Sequence, residues 1–198
     1  EASGLQEISN PAGLFLEERS NDASGSVVCA CLEGNRPILV EVQALVAKTP
    51  YGMPRRTAVG FDYNRVTMLL AILERRLGMD FGAYDAYVNV VGGMRVTEPA
   101  ADLAVAAALV SSYRNRPIPH GVLVMGEVGL TGEVRRIGSP ERRIKDAMNL
   151  GFKRFVLPMG KLSLDEPCNG IVQVKTCLLY TSDAADDRLS VDLGGRRI

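Results

Sequence analysis

The stretch SVVCACLEGNRPILVEVQALV, residues 26–46, indicates the class of fold. Residues 26–32 are small or β-branched, and residues 38–46 show the two-residue alternation of a strand with one buried face. Between them, the segment from Glu33 to Arg36 has the composition of a tight turn. We therefore predict an antiparallel hairpin at the start of the folded region.

After this hairpin, helical and extended patterns alternate along the chain. The predicted helices run from Asp62 to Leu77, from Ala100 to about Ser112 and from Ser139 to Leu150, and the predicted strands are 86–91, 122–128, a short one within 129–136, 155–157 and 171–174. Residues 49–60, with their prolines and glycines, are predicted to form a loop. The order predicts an α/β (α+β) domain with a mixed sheet packed with helices.

Length and composition exclude several classes of protein. A chain of 198 residues that is 46% hydrophobic and 23% charged is long and apolar enough to fold around its own core. Its 23 Lys and Arg balance its 23 Asp and Glu, so the net charge indicates neither a nucleic-acid nor a membrane partner. The sequence contains no apolar run of the roughly 18 residues that a membrane helix needs, and its first residues do not have the pattern expected of a signal peptide. We expect a cytoplasmic location and no membrane partner.

Cysteine, histidine and glycine patterns give no sign of a metal or cofactor. The four cysteines, which we interpret as reduced thiols, are Cys29, Cys31, Cys168 and Cys177. The single histidine, His120, argues against a Ser-His-Asp triad. The glycines in 91–94 and 126–129 match neither the P-loop nor the dinucleotide-binding pattern. No cofactor or metal is therefore predicted for this chain.

The chain divides into three predicted segments. Residues 1–24 resemble a connector, residues 25–176 form the folded domain, and residues 177–198 are an aperiodic, acidic tail that we interpret as non-native or disordered. Because the first residue is Glu1 rather than Met, we expect the chain to begin inside a longer protein.

Residues 97–151 resemble the proteolytic domain of Lon proteases. The matching frame is Glu98-Pro99-Ala100-Ala101-Asp102, then a Thr-Gly-Glu strand, then an Ile-Gly turn before a helix. In that family the first motif supplies a serine nucleophile and the helix start supplies a lysine base. Here the serine position is Ala100, the lysine position is Glu141, and Asp102 replaces a glycine. The resemblance therefore implies a Lon-protease-like domain with no catalytic residues.

One alternative keeps peptidase activity. Ser111, Ser112 and Ser139 lie near these positions without matching the motif, and Lys145 follows Glu141 by one helical turn. An active Ser/Lys peptidase domain is thus the alternative function, since a desolvated lysine can accept the proton of a serine. A module that binds a small molecule is a third hypothesis.

A more extensive resemblance, over residues 4–158, is to the C-terminal domain of the RadA (Sms) family of bacterial DNA repair proteins. It rests on stretches that include 7–11, 36–46, 54–58 and 97–104. The resemblance implies a ribosomal-S5-domain-2-like fold and a preceding zinc finger and RecA-like ATPase domain, which would hold the zinc, the ATP and the magnesium. It also implies a hexameric ring on single-stranded or branched DNA, with a recombinase or helicase as a further partner.

Local charge adds a prediction about DNA. Residues 131–154 carry an excess of four positive charges, and further arginines lie near the 49–60 loop. The arginines predicted to contact the phosphate backbone are Arg55, Arg56, Arg65, Arg135, Arg136, Arg142 and Arg143. A solvated face with pairs such as Glu141 to Lys145 remains the alternative.

The sequence thus predicts a non-catalytic domain that binds DNA and helps a ring to assemble. The alanine-rich helix and the long hairpin are the predicted contact surfaces between subunits.

Overall fold

Two sheets and three helices organise the part of the chain that the computed structural model describes, which is residues 23–50, 52–164 and 167–177. The strands are β1 (Ser26–Glu33), β2 (Arg36–Lys48), β3 (Arg56–Val59), β4 (Tyr84–Val90), β5 (Val122–Val124), β6 (Glu127–Val128), β7 (Val134–Arg135), β8 (Arg154–Pro158) and β9 (Ile171–Val174). The helices are α1 (Tyr63–Leu77), α2 (Asp102–Arg114) and α3 (Pro140–Asn149). Seven strands form one mixed sheet in the order β3-β4-β2-β1-β5-β8-β9, and β6 and β7 form a separate antiparallel pair. The predicted fold class is confirmed.

The β1–β2 hairpin forms as predicted. Its register runs from Ser26 opposite Gln43 to Glu33 opposite Arg36. The turn is closed by Gly34, whose φ of 60° suits a residue without a Cβ. The hairpin therefore supplies the centre of the sheet.

The sheet is covered by helices on both faces. Alternate β1 residues such as Val27 and Cys29 pack with α1 and α2, whereas Val28 and Ala30 pack with α3 on the opposite face. This alternation follows from the two-residue period of a strand. Beside α3, however, the same face of β2, β4 and β3 has no helix among the described residues, and its Leu45 is 59% exposed.

Helix α1 begins and ends where the sequence predicts. The Asp62 carboxylate accepts a hydrogen bond of 2.8 Å from the Arg65 backbone N–H, which caps the first turn. Gly78 ends the helix with a φ of 65°, as expected of a left-handed cap.

Helix α2 is buried from Asp102 through Ser111. Its alanines let it lie closely against the sheet and α1, as the sequence predicts. The prediction that this helix is a contact surface between subunits is wrong, because its surface is already covered within the domain.

Two strand boundaries differ from the predictions. Residues 56–59, predicted as loop, form strand β3 because the preceding residue, Arg55, is bonded to β4. The Arg55 N–H donates to Asp85 Oδ1 at 2.7 Å, and the Arg55 carbonyl accepts from the Ala86 N–H at 2.9 Å. The predicted strand 122–128 is interrupted at Gly126, whose N–H and carbonyl bond to Ala100 and Leu103 instead of to a strand. Both differences come from contacts distant in sequence.

The packed region extends to Cys177, one residue past the predicted end of the domain. Its thiol is buried, and its backbone N–H donates to the Gly132 carbonyl at 3.0 Å. Residues 178–198 of the predicted tail and residues 1–22 of the predicted connector lie outside the described residues. Among the helices described, none has the length and apolar character needed to cross a membrane.

Candidate functional site

Ala100 is the residue that the Lon resemblance predicts at the position of the nucleophile. It forms part of the short turn Pro99–Ala101 before α2 and is 2% exposed. Its carbonyl accepts a hydrogen bond of 2.7 Å from the Gly126 N–H, and Leu103 donates to the Gly126 carbonyl at 3.0 Å. Gly126 is needed here, because an added Cβ would lie 2.7 Å from the side chain of Val134. The turn is therefore closed by backbone packing and offers no nucleophile.

An ion pair between Glu98 and Arg143 lies beside this turn. The guanidinium of Arg143 is fully buried and donates to both Glu98 oxygens, to the Ala30 carbonyl at 2.6 Å and to the Gly138 carbonyl at 2.9 Å. Glu98 also accepts from the Leu32 N–H at 2.7 Å. Arg143 thus joins β1, the start of α3 and the turn before α2.

A second ion pair fixes the first turn of α2. Asp102 is fully buried, and its carboxylate accepts from Nε and Nη2 of Arg65 and, at 3.1 Å, from the Val128 N–H. The hydrogen bond to Asp102 raises the pKa of Arg65, so the guanidinium stays charged. The carboxylate also lies at the positive end of the α2 dipole.

Two serines of the peptidase alternative, Ser111 and Ser112, make structural contacts at the end of α2. Ser111 accepts from the Gly25 N–H at 2.9 Å and donates to the Arg116 carbonyl at 2.5 Å, so it connects the end of α2 to the start of β1. Ser112 accepts from the Val46 N–H at 2.9 Å. Ser139 lies at the exposed start of α3, and Lys145 lines a surface cleft on that helix. The contacts of the first two serines are structural.

The seven arginines predicted to contact DNA lie in three places at the surface and one place in the core. Arg55 and Arg56 lie at the β3 edge, Arg65 and Arg135 line a depression between α1 and the β6–β7 hairpin, Arg136 and Arg142 lie at the start of α3, and Arg143 is buried. The structure therefore does not bring them together in one surface.

The prediction that Arg143 contacts DNA is wrong. Its side chain is 0% exposed, and its donors are directed at Glu98 and at two backbone carbonyls. Arg143 therefore has no surface to offer to a phosphate group.

At the β3 edge, the two neighbouring arginines have different surroundings. The Arg56 guanidinium donates to the carbonyls of Tyr84 and, at 2.6 Å, Phe81, and so holds β3 against the turn before β4. Arg55 is exposed, and only its backbone is fixed, by Asp85. The Arg55 N–H lowers the pKa of the Asp85 carboxyl, which also accepts from Thr49 at 2.9 Å. Arg55 is thus the surface cation of this pair.

In the depression of about 320 Å³ between α1 and the hairpin, the two arginines are both ion-paired. Arg135 donates to Glu133 from Nε at 2.9 Å and from Nη2 at 2.6 Å. Hydrogen bonds from Thr131, from the Glu133 backbone and from Arg135 lower the pKa of Glu133 to about 2. Because the Arg135 side chain is 60% exposed, this pair contributes little to stability.

At the start of α3, two exposed arginines are positioned by backbone carbonyls. Arg136 Nε donates to the Met159 carbonyl at 3.2 Å, and Arg142 Nη1 donates to the Asn35 carbonyl at 2.8 Å. Two further exposed cations lie close to these carbonyls in the chain, because Arg36 follows Asn35 and Lys161 lies two residues after Met159. We call Arg36, Arg136, Arg142 and Lys161 the basic patch. The sequence did not identify Arg36 or Lys161, because only the fold places the β1–β2 turn and the segment after β8 beside α3.

Cys29 and Cys31 lie side by side on the core face of β1, with their sulfur atoms 3.7 Å apart. The hydrogen bond with Cys31 and burial raise the pKa of Cys29, so its thiol is protonated at neutral pH. Within residues 23–50, 52–164 and 167–177, no three His, Cys, Asp or Glu side chains converge as a metal site would require.

Comparisons with known proteins give one family model and a set of related sequences. The model described as subunit ChlI of Mg-chelatase matches residues 43–161. The chain is 47% identical over 193 residues to DNA repair protein RadA of Halalkalibacterium halodurans, which covers 97% of this chain and 41% of that protein. It is also similar to proteins of the same name from Bacillus subtilis, 50% identical over 159 residues, and Pseudomonas aeruginosa, 49% identical over 181 residues.

The match is nearly complete for this chain and partial for its relatives. The Bacillus subtilis alignment covers 80% of this chain and 35% of the relative, and the Pseudomonas aeruginosa alignment covers 91% and 40%. The chain thus spans about two fifths of the length of the curated relatives that it matches.

Proposed function

The chain belongs to the family described as subunit ChlI of Mg-chelatase, and since its relatives at 47–50% identity are named DNA repair proteins, we propose that it is a non-catalytic, DNA-contacting domain of a DNA repair protein. The names of the relatives support the DNA repair role.

The basic patch is the observation that carries the contact with DNA. Arg136 and Arg142 each use one donor on a backbone carbonyl, so their guanidinium groups are held in place while the side chains remain exposed. Pre-positioned guanidinium groups are suited to phosphate oxygens. Arg55 is an exposed cation at the β3 edge and is a separate candidate for contact with DNA, whereas Arg135 is paired with Glu133.

The absence of peptidase activity is the second part of the proposal. Removing the nucleophile of a serine protease lowers kcat by about 10⁶-fold. Because alanine occupies the serine position and glutamate the lysine position, we expect no labelling by a fluorophosphonate probe under conditions that label a serine protease fully.

A labelled serine whose labelling is lost in Lys145→Ala would contradict this expectation and favour the alternative peptidase. Mass spectrometry of the labelled peptide identifies the serine. Ser163 is the first residue to inspect, because it lines the same cleft as Lys145.

For the whole protein we propose a DNA-dependent ATPase acting on single-stranded or branched DNA in the cytoplasm, with a recombinase or helicase as partner. In this proposal ATP, magnesium and zinc bind to parts of the protein other than this chain. The related proteins named DNA repair protein RadA support this extension.

We also propose that the domain contributes to a ring of identical subunits, through the face of β2, β4 and β3 that no described helix covers. Leu45 and Val59 lie on this face at 59% and 53% exposure, in register with Tyr87 and Asn89 of β4. The long hairpin predicted as a contact surface supplies β2.

Light scattering tests this interface. Leu45→Glu is expected to lower the mass of the assembly, because a carboxylate would be buried between subunits. Met53→Glu is the matched control, since Met53 is 88% exposed in the loop before β3 and outside this face. A monomeric wild-type chain, or equal effects of the two variants, would contradict the role of this face.

A further inference from the structure

A cleft beside the basic patch combines cationic, polar and apolar lining residues. It lies between α3 and the segment after β8, and it is lined by Glu141, Arg142, Lys145, Met148, Asn149, Ser163 and Leu164. Its volume of about 300 Å³ is at the lower end of the range of small-molecule sites. Arg142 belongs to both the cleft and the basic patch.

We propose that this cleft holds one unstacked base of single-stranded DNA whose phosphates contact the basic patch; this inference rests on the proposed function. Met148 and Leu164 are apolar and half-buried, so they supply surface for the face of a base. Asn149 supplies an amide with both donors and an acceptor, and Ser163 supplies a hydroxyl. The edge of a base presents complementary groups.

Charge complementarity supports the position of the phosphates. Arg142 and Lys145 lie one helical turn apart on the cleft side of α3, and Asn149 follows one turn later. The acid in the cleft, Glu141, accepts from the Ser163 N–H at 3.4 Å and is therefore directed toward the loop. An anionic backbone along the exposed side of α3 would meet two cations, while the base enters between the helix and the loop.

Duplex DNA does not fit this description, because its bases are stacked and paired. The cleft lacks an aromatic lining residue, so any base is accepted with modest affinity rather than read by stacking. The expected ligand class is therefore single-stranded DNA without strong sequence preference.

The experiment compares oligonucleotides that differ only in their bases. Fluorescence anisotropy with the full 198-residue chain measures binding of a labelled oligothymidylate, of an abasic strand of the same length and of the matching duplex. We expect the wild type to bind the oligothymidylate about fivefold more tightly than the abasic strand. Asn149→Ala combined with Leu164→Ala removes this difference and leaves duplex binding unchanged. Asn64→Ala, at an exposed position of α1, is the matched control.

Failure of this inference differs from failure of the proposed function. Equal wild-type binding of the oligothymidylate and the abasic strand overturns the base site and leaves phosphate contact intact. If the wild-type chain binds none of the three DNA ligands, both the base site and the proposed contact with DNA are overturned. A third outcome is that Asn149→Ala abolishes binding of free thymidine monophosphate but does not change binding of the oligothymidylate. This outcome overturns single-stranded DNA as the ligand and assigns the cleft to a free nucleotide.

Discussion

Replacing Arg143 by alanine is expected to lower the free energy of unfolding by about 3 kcal/mol, because it removes a fully buried guanidinium and leaves the Glu98 carboxylate, whose side chain is 25% exposed, without its cationic partner. It also leaves the carbonyls of Ala30 and Gly138 without their side-chain donors. For a domain of this size the loss corresponds to a fall in melting temperature of roughly 10 °C. Chemical and thermal denaturation followed by circular dichroism measure it.

Arg142→Ala is the matched control, since Arg142 is the preceding residue on the same helix but is exposed and makes one hydrogen bond to Asn35. We expect it to change stability by about 0.5 kcal/mol or less. A double-mutant cycle with Glu98→Ala then gives the coupling between Glu98 and Arg143. Equal effects of Arg142→Ala and Arg143→Ala would show that the buried pair does not hold the start of α3.

Replacing both Arg136 and Arg142 by alanine is expected to weaken DNA binding on the order of tenfold at low salt. Each phosphate contact contributes about one unit to the slope of log K against log salt, so the slope falls by about two. The effect is the same for all sequences, because phosphates carry no base information. Anisotropy titrations at several salt concentrations measure both quantities.

The control for this variant removes two positive charges from other parts of the surface. Lys48 and Arg75 are exposed on β2 and α1, away from the basic patch, and their replacement by alanine tests the effect of net charge alone. If Lys48→Ala combined with Arg75→Ala lowers affinity and slope as much as the patch variant, the patch is not the contact. If Arg55→Ala alone lowers the slope by one, the contact extends to the β3 edge.

Local sequence patterns were sufficient for the hairpin and for α1, because each depends on neighbours in the chain. The alternation in residues 38–46 and the cap at Asp62 are examples. They were insufficient for β3, which is held by the Asp85 carboxylate 30 residues away from Arg55. Local patterns were also insufficient at Gly126, whose backbone bonds to Ala100 and Leu103 and not to a neighbouring strand.

The candidate site shows the same difference between features that depend on nearby residues in the chain and features that depend on distant contacts. A motif comparison predicts Ala100 and Glu141 at the positions of a catalytic dyad, and this stays a prediction. The identity of an arginine, however, does not reveal whether its side chain faces solvent, and Arg143 lies in the core although its chain neighbour Arg142 is exposed. Glu98 and Arg143 are 45 residues apart in the chain, and neither position has a sequence signature that reveals their ion pair.

The order of strands in the large sheet has a consequence for biosynthesis. All strands on one side of the β1–β5 boundary come from residues 26–90, and all strands on the other side come from residues 122–174. On a ribosome that adds about 5–20 residues per second, β1 is complete roughly 5–20 s before β5 exists to cover its second edge. During that interval the central strand of the finished domain is an edge strand, and unprotected edges pair readily with other chains. A nascent chain of this protein is therefore most in need of a chaperone between the synthesis of β4 and that of β5.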